Sequence, residues 1–191
     1  MNLAFSLVDA YLYCTTGQFR AGTEAQLLPI LLSMEFPNVG LAGAGGGRAR
    51  RAALLAEAGI SPVPVDEKST LSDIAVLFVA GLAPSAATEL AVRARRAGVL
   101  VNVEDIPELC DFHVPAIVRR GDLVLTASTG GRAPGLARRL REWLEHRFGP
   151  EWSSHMEEVS QSRSAWRAEG LSAHDVSDRT RALIAEKGWL Q

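Results

Sequence analysis

A glycine-rich turn in this sequence has the composition of a phosphate-binding loop. It lies between a short apolar run, 39–42, and a segment with apolar residues at helical spacing, and it consists of Gly43, Ala44, Gly45, Gly46 and Gly47. In a strand–turn–helix unit, the free backbone N–H groups at the helix N-terminus attract anions. Gly43 can form the tight turn, and Gly45 lets the backbone approach a pyrophosphate. These five residues are therefore predicted to bind a dinucleotide.

Asp66 is the predicted acidic partner of that turn. It ends the next predicted strand, 21 residues beyond Gly45, which is about the interval at which dinucleotide-binding units place a carboxylate for the ribose hydroxyls. Glu67 is an alternative. No basic residue stands directly at this position, which favours NAD over NADP, although Lys68 is near. The third position of the fingerprint is Arg48 instead of Gly or Ala, so a turn without a ligand is the competing interpretation.

Asp105 could carry acid–base chemistry. It follows the predicted strand Val99–Val103, and ligands of parallel sheets bind at the carboxyl ends of the strands. A carboxylate there can accept a proton from a bound substrate, and it is a hard oxygen ligand that could hold a metal ion transiently. The alternative role is a cap for the turn into Ile106 and Pro107.

A second anion site is predicted around Thr129, Gly130 and Gly131, which precede a helix with Pro134 near its first turn. Exposed N–H groups in such a turn form an anion-binding nest. Arginine can bind carboxylates through two parallel hydrogen bonds, and His113 could assist proton transfer or metal delivery. Solvated surface arginines and a satisfied, partly buried histidine are the alternatives. The candidate ligand-binding residues of this half are Thr129, Gly130, Gly131, Arg132, Arg120 and His113.

The elements that must position these residues alternate between strand and helix in the first half of the chain. Continuous apolar runs such as Ala75–Ala80 indicate buried parallel strands, and Pro62 and Pro64 favour an edge position for the second strand. This order predicts an α/β fold with a Rossmann-like, doubly wound parallel sheet. Two short strands, an amphipathic helix and a helical C-terminal region follow. The predicted elements are Val39–Ala42, Arg48–Ala58, Ile60–Val65, Ala75–Ala80, Ser85–Ala97, Val99–Val103, Val114–Val118, Leu123–Ala127, Pro134–Phe148, 151–168 and 172–186.

Composition excludes several classes of protein. The 191 residues carry 20 basic and 22 acidic side chains, a formal net charge of −2, which argues against a nucleic-acid or membrane-surface binder. Cys14 and Cys110 lack the spacing of a disulfide framework or zinc site, and this usage fits the reducing cytoplasm. No apolar run approaches the roughly 20 residues that span a bilayer. Met1–Tyr13 is predicted to be neither a signal peptide nor an anchor.

Two ordered stretches carry a more specific signal than the glycine turn. Residues 101–123 read VNVEDIPELCDFHVPAIVRRGDL, and residues 128–141 read STGGRAPGLARRLR. Together they resemble the pattern N-V-x-D-x-P, F-x-x-P-A-I-x-x-R-G and S-[ST]-G-G-x-[SA]-P-x-L-A-R-x-[LI]-R of the siroheme synthase N-terminal domain and its free-standing relatives, the precorrin-2 dehydrogenase/sirohydrochlorin ferrochelatase family. With the glycine turn, the resemblance extends over about 28–148.

The resemblance implies a pair of reactions in siroheme biosynthesis. Precorrin-2 is oxidised to sirohydrochlorin with NAD as the hydride acceptor, and Fe(II) is inserted to give siroheme; cobalt insertion would use the same groups. It also implies a homodimer and one cleft for both steps. The family's key aspartate falls on Asp105, and a residue that is phosphorylated in one branch falls on Thr129. The implied organisation is an extension of unknown role (1–27, or a misplaced start codon), an NAD-binding domain (28–112), a dimerisation and active-site segment (113–148) and a helical region (149–191).

The departures from the family lie on the cofactor side. Besides Arg48, only Asp66–Ile74 separates the second and third strands, where the family has a helix and another strand, and Ala80-Gly81-Leu82 replaces the usual Ala-Thr-Asp. The tetrapyrrole side is comparatively intact. A chelatase-only enzyme, a non-catalytic tetrapyrrole carrier and a nucleotide-sensing module are therefore alternatives to the dehydrogenase.

Overall fold

The computed structural model describes residues 27–32 and 38–190, which belong to two separate units divided after Ser33. Residues 27–32 contain no helix or strand. Most of the predicted extension, 1–27, lies outside the described residues, as do Cys14 and Met34. The architecture that follows is that of the second unit.

The four-stranded sheet of this unit is parallel throughout. Its strands are β1 (Val39–Gly43), β2 (Val63–Val65), β3 (Val76–Ala80) and β4 (Leu100–Val103), in the spatial order β2-β1-β3-β4. β2 pairs only with β1, which confirms the edge position predicted from the prolines. It is three residues long, shorter than the predicted 60–65, because Pro62 and Pro64 have no N–H group to donate to a ladder.

Helices cover both faces of the sheet, as a doubly wound fold requires. α1 (Gly45–Glu57) buries Leu55 against one face, and α2 (Pro84–Arg96) buries its apolar side against the other. β3 shows the division, since Leu77 packs in the α2 cluster and Phe78 in the α1 cluster. Because successive strand residues point to opposite faces, a strand buried on both sides has a continuous apolar sequence.

The connection between β2 and β3 contains no helix or strand over 66–75, all of them described residues. The expectation that this connection lacks a further helix and strand is thereby confirmed. Leu71 and Ile74 from this connection are buried in the α2 cluster, so the shortened segment still contributes to the core.

The C-terminal half begins with an antiparallel hairpin of β5 (Ala116–Arg120) and β6 (Leu123–Ala127). The predicted bounds of the first strand, Val114–Val118, are wrong by two residues at each end. Arg120 pairs with Leu123, which leaves a two-residue turn in which Gly121 has a φ of 58°.

Three helices complete the chain: α3 (Pro134–Arg147), α4 (Trp152–Ala168) and α5 (Ala173–Lys187). The indole of Trp189 stacks on the ring of His155, with centroids 4.1 Å apart. Among the helices of 27–32 and 38–190, none is long and apolar enough to cross a membrane.

α1 starts at Gly45, three residues before the predicted start at Arg48. Glycine is a poor helix former, but the first turn of a helix has no intrahelical acceptor for its N–H groups, and local packing decides its conformation. Gly47 is buried in that turn. The glycine turn is therefore largely the first turn of α1.

Gly43→Ala should destabilise the fold far more than Gly45→Ala. Gly43 has a φ of 115°, and a Cβ there would overlap the carbonyl oxygen of Ala80, so we expect a loss of about 3 kcal/mol. Gly45 has a φ of 63° but no atom within 4 Å of an added Cβ, so about 1 kcal/mol is expected. Urea unfolding of both variants measures the difference, and equal losses would contradict this account.

Candidate functional site

The register of the sheet brings three connections to one edge. Gly43 pairs with Ala80, and Val79 pairs with Val103, so the carboxyl ends of β1, β3 and β4 lie side by side. The glycine turn, the β3–α2 connection and the β4 connection all leave the sheet at this edge. This is the edge at which open parallel sheets bind ligands.

Two glycines let the β1 and β3 connections pack against each other. Gly81 has a φ of 71°, and a Cβ there would overlap the carbonyl oxygen of Ala44. On the other side, Ala44 N donates to the carbonyl oxygen of Ala80 at 3.2 Å. Gly81 thus belongs to the site, although the sequence analysis named it only as a difference from the Ala-Thr-Asp of the family pattern. Its position directly after a buried strand could have indicated this role.

A cavity of about 640 Å³ opens beside the glycine turn. It extends from the end of β1 to the end of β2 and along α2 as far as Arg93, a volume and position that suit a small organic ligand. Its lining includes Gly43, Ala44, Asp66, Leu82, Leu90 and Arg93.

Asp66 lies in this cavity lining, but one oxygen of its carboxylate is already engaged. Oδ1 accepts hydrogen bonds from Lys68 N, Ser69 N and Ser69 Oγ, each at 2.8 Å. The hydrogen bond from the Ser69 hydroxyl, with those from the backbone, lowers the pKa of Asp66. Asp66 therefore shapes its own loop, and Oδ2 is the oxygen that could meet a ribose hydroxyl.

Arg93 fixes the same loop from α2. Its Nη2 donates to the carbonyl oxygen of Asp66 at 2.6 Å, and its Nη1 donates to the carbonyl oxygen of Glu67. A guanidinium that lines the cavity was not predicted, because α2 and the loop are 26 residues apart in sequence.

Asp105 follows β4 directly, as predicted, and its backbone is unusual. Its φ of 61° makes it the one non-glycine residue with positive φ among the described residues. The side chain is exposed, and within 38–190 no hydrogen bond or ion pair engages its carboxylate. The proposed capping role therefore has no support from the geometry. Strained, unengaged polar residues of this kind cluster at functional sites.

Three side chains hold the loop that carries Asp105. The Cys110 thiol accepts from Val103 N at 3.3 Å and donates to Val103 O at 3.2 Å. Burial raises the pKa of this thiol, which keeps its proton for that bond. Asp111 accepts from Val101 N at 2.9 Å and from Arg95 Nε at 2.8 Å. Asn102 is buried and donates to Phe112 O at 2.9 Å.

The predicted anion nest lies between β6 and α3. Gly130 and Gly131 have φ values of 60° and 78°, and Thr129 Oγ1 accepts from Ala133 N at 3.2 Å. The Thr129 hydroxyl thus orders the turn into α3. Arg132 N donates to the Thr129 carbonyl oxygen at 3.1 Å, which closes the turn.

The other predicted residues of this half lie in different surroundings. Arg120 donates from Nε to Phe148 O at 2.7 Å and from Nη2 to Glu145 O at 3.3 Å, so its guanidinium binds the end of α3. His113 is half-buried, between two residues that pack on the α1 side of the sheet. No hydrogen bond joins Asp105 to the Thr129 turn within the described ranges. Within the same ranges, no cluster of three or more His, Cys, Asp or Glu side chains could hold a metal ion.

Comparisons with known proteins also indicate an NAD(P)-binding fold. Residues 61–116 match the model of a family described as "Putative NAD(P)-binding"; this range covers β2, β3, β4 and Asp105. The solved structure titled "SirC, precorrin-2 dehydrogenase" superposes with a TM-score of 0.64 at 18% identity, covering 86% of this chain and 93% of that one. At that identity the likeness establishes the fold.

Two siroheme synthases are similar in sequence. The protein from Methylococcus capsulatus is 50% identical over 64 residues, 31% of this chain and 14% of that protein. The protein from Nitrosomonas eutropha is 34% identical over 141 residues, 61% of this chain and 30% of that protein. The chain thus spans less than a third of the length of these relatives.

The parallel sheet, the glycine turn and the cavity beside it define a Rossmann-like dinucleotide-binding protein of the NAD(P) class. Within that class, the chain is similar in sequence to siroheme synthases and in fold to a precorrin-2 dehydrogenase, the family that the ordered motifs after β4 and β6 resemble.

Asp66→Asn should destabilise the protein near pH 7 but not in acid. The lowered pKa means that the carboxylate favours the folded state above its unfolded pKa, and this contribution is lost as the pH falls through the folded value. The gap in Tm between wild type and variant should therefore begin to narrow below about pH 4 and go on narrowing as the pH falls further. Asp73→Asn, an exposed carboxylate in the same connection, is the control. A gap that stays constant as the pH falls from 5 to 2 would contradict the assignment.

Proposed function

We propose that this protein oxidises precorrin-2 to sirohydrochlorin with NAD as the hydride acceptor. The observation that carries the proposal is Asp105, an exposed and unengaged carboxylate with a φ of 61° at the sheet edge that also carries the glycine turn. The names of the relatives, siroheme synthase and precorrin-2 dehydrogenase, support the same reaction. Oxidation removes a hydride and a proton, and Asp105 takes the proton.

The residues present fit the adenosine half of NAD. A ribose would lie near Asp66 Oδ2, and adenine would occupy the apolar part of the cavity beside Leu82 and Leu90. Gly45 offers open backbone at the N-terminus of α1, where no atom lies within 4 Å of an added Cβ, so a diphosphate can approach. Bound NAD supplies the hydride-accepting nicotinamide.

The tetrapyrrole would be bound from the second half of the chain. Precorrin-2 carries many carboxylates, and the turn at Gly130 and Gly131 would offer the N–H of Gly131 to one of them, since Gly130 N donates to Ser128 Oγ at 3.3 Å. Thr129, Arg132 and His113 complete the proposed site. Arg120 instead donates to Phe148 O at the C-terminal end of α3, the end opposite to Thr129. A second cavity, of about 540 Å³ beside the β5–β6 turn, is lined by Asp122, Glu157 and Glu158, and such an acidic lining suits a polycarboxylate poorly.

Insertion of Fe(II) into sirohydrochlorin is the second proposed activity. Metal entry releases two pyrrole protons, and Asp105, at the carboxyl edge of the sheet, is the base that accepts them. Its carboxylate would also hold the Fe(II) substrate transiently. The short connection over 66–75 is the reason for the alternative, a chelatase that binds NAD weakly or not at all. We place the protein in the cytoplasm, because the free thiol of Cys110 suits a reducing compartment.

Asp105→Asn should lower the rate of precorrin-2 oxidation by about 100-fold or more, because the amide cannot accept the proton. Asparagine tolerates positive φ, so the backbone of the loop is retained. The assay is anaerobic, with and without NAD and Fe(II), and follows the absorbance of sirohydrochlorin and siroheme.

Binding of sirohydrochlorin to Asp105→Asn, measured by fluorescence quenching, serves as the control and should stay within about threefold. A variant with normal rates in both reactions would refute the catalytic role. If the wild-type protein binds the tetrapyrrole but performs neither reaction, it is a non-catalytic tetrapyrrole carrier.

We further propose a homodimer formed in part by α3. Leu136, Leu140 and Trp143 lie on this helix with 55%, 39% and 60% of their surface exposed, an apolar face left uncovered in the single chain.

Trp143→Glu should convert the dimer to a monomer, because a charge in an apolar interface is costly to desolvate. Sedimentation velocity measures the change, and His146→Gln on the same helix is the control, expected to stay dimeric. A Trp143→Glu protein that sediments as a dimer would exclude α3 from the interface.

A further inference from the structure

Glu104 reaches across the sheet edge to the first turn of α1. It follows β4 directly, and its side chain is only 16% exposed. Its Oε1 lies 3.3 Å from Arg50 Nη2 on α1, and its Oε2 lies so close to Gly47 that a Cβ on this glycine would overlap it. Gly47 thus provides the space for a carboxylate that comes from 57 residues further along the chain.

The position of the Glu104 carboxylate matters because the first turn of α1 supplies no negative charge of its own. The first turn of α1 contains no acidic residue, and no side chain caps it. Its N–H groups and the positive end of the helix dipole would favour an anion from outside the chain. Glu104 supplies a negative charge at the buried side of that turn.

We propose that Glu104 is an internal anion that competes with the diphosphate of the dinucleotide at the N-terminus of α1. Binding of the cofactor then requires the Glu104 side chain to swing away from Gly47 or to bear the repulsion of a second negative charge. The ion pair with Arg50 stabilises the Glu104 side chain in its position beside Gly47. The inference rests on the proposed use of NAD, and it makes Glu104 a residue that sets cofactor affinity.

The proposed competition can be tested with different ligands, because it affects only the diphosphate of the cofactor. Ligands with a diphosphate, such as NADH and ADP-ribose, meet the carboxylate. Adenosine, which has no phosphate, fills only the cavity between Asp66 and Leu90. Removal of the Glu104 charge should therefore strengthen binding of the first two ligands and leave the third unchanged.

Isothermal titration of wild type, Glu104→Gln and Glu104→Ala with NADH, ADP-ribose and adenosine tests this. We expect both variants to bind NADH and ADP-ribose about tenfold more tightly than wild type, equivalent to about 1.4 kcal/mol, with adenosine unchanged within about twofold. The charge control is Glu108→Gln, an exposed carboxylate on the neighbouring short helix 107–109, which should behave as wild type.

The other outcomes separate this inference from the proposed function. If wild type binds NADH and both variants bind it equally or more weakly, Glu104 does not compete, and NAD use stands. If none of the proteins binds NADH or ADP-ribose at millimolar concentration, both proposals fail. A gain in adenosine affinity as large as that for ADP-ribose would also overturn the inference, because the effect would then not involve the diphosphate.

Discussion

The parallel register of β1, β3 and β4 is the constraint on which the candidate site depends. Pairing of Gly43 with Ala80 and of Val79 with Val103 ends three strands at one edge. The glycine turn, Gly81 and Asp105 come together there, although they are far apart in sequence. A shift of one residue in either pairing would turn the side chains of a whole strand to the opposite face of the sheet.

Close backbone packing at that edge gives several residues their structural roles. Gly43 and Gly81 allow the β1 and β3 connections to touch, since a Cβ on either would overlap a carbonyl oxygen. Cys110 and Asp111 hold the loop after β4 through hydrogen bonds to Val103 and Val101. These hydrogen bonds tie the loop to β4 on the C-terminal side of Asp105, whose φ is 61°. A proton acceptor must be held in place in this way if it is to meet a substrate in one orientation.

The two halves of the chain differ in how they would meet their ligands. The sheet edge combines an apolar cavity with a helix N-terminus and one internal carboxylate, Glu104. The hairpin and α3 instead present a turn of two left-handed glycines and an exposed apolar helix face. In our proposals, the first arrangement controls the affinity of a nucleotide, and the second binds a polycarboxylate and a second copy of the chain.

Local sequence patterns determined most of the elements and their order. Apolar runs identified β3 and β4, prolines placed β2 at an edge, and Pro134 and the glycines marked the start of α3, because each of these effects acts within a few residues. The ordered motif around Asp105 was also readable, as was the glycine turn. These features identify the class of fold and the residues that could carry chemistry.

Only the tertiary structure decided which of those residues meet. The ion pair of Glu104 with Arg50, the hold of Arg93 on the Asp66 loop and the binding of Arg120 to the end of α3 join residues 54, 26–27 and 25–28 positions apart. Such contacts depend on strand register and helix packing, which no local propensity encodes. For this reason the sequence indicates a phosphate-binding turn, whereas the folded chain shows that a carboxylate of its own lies beside it.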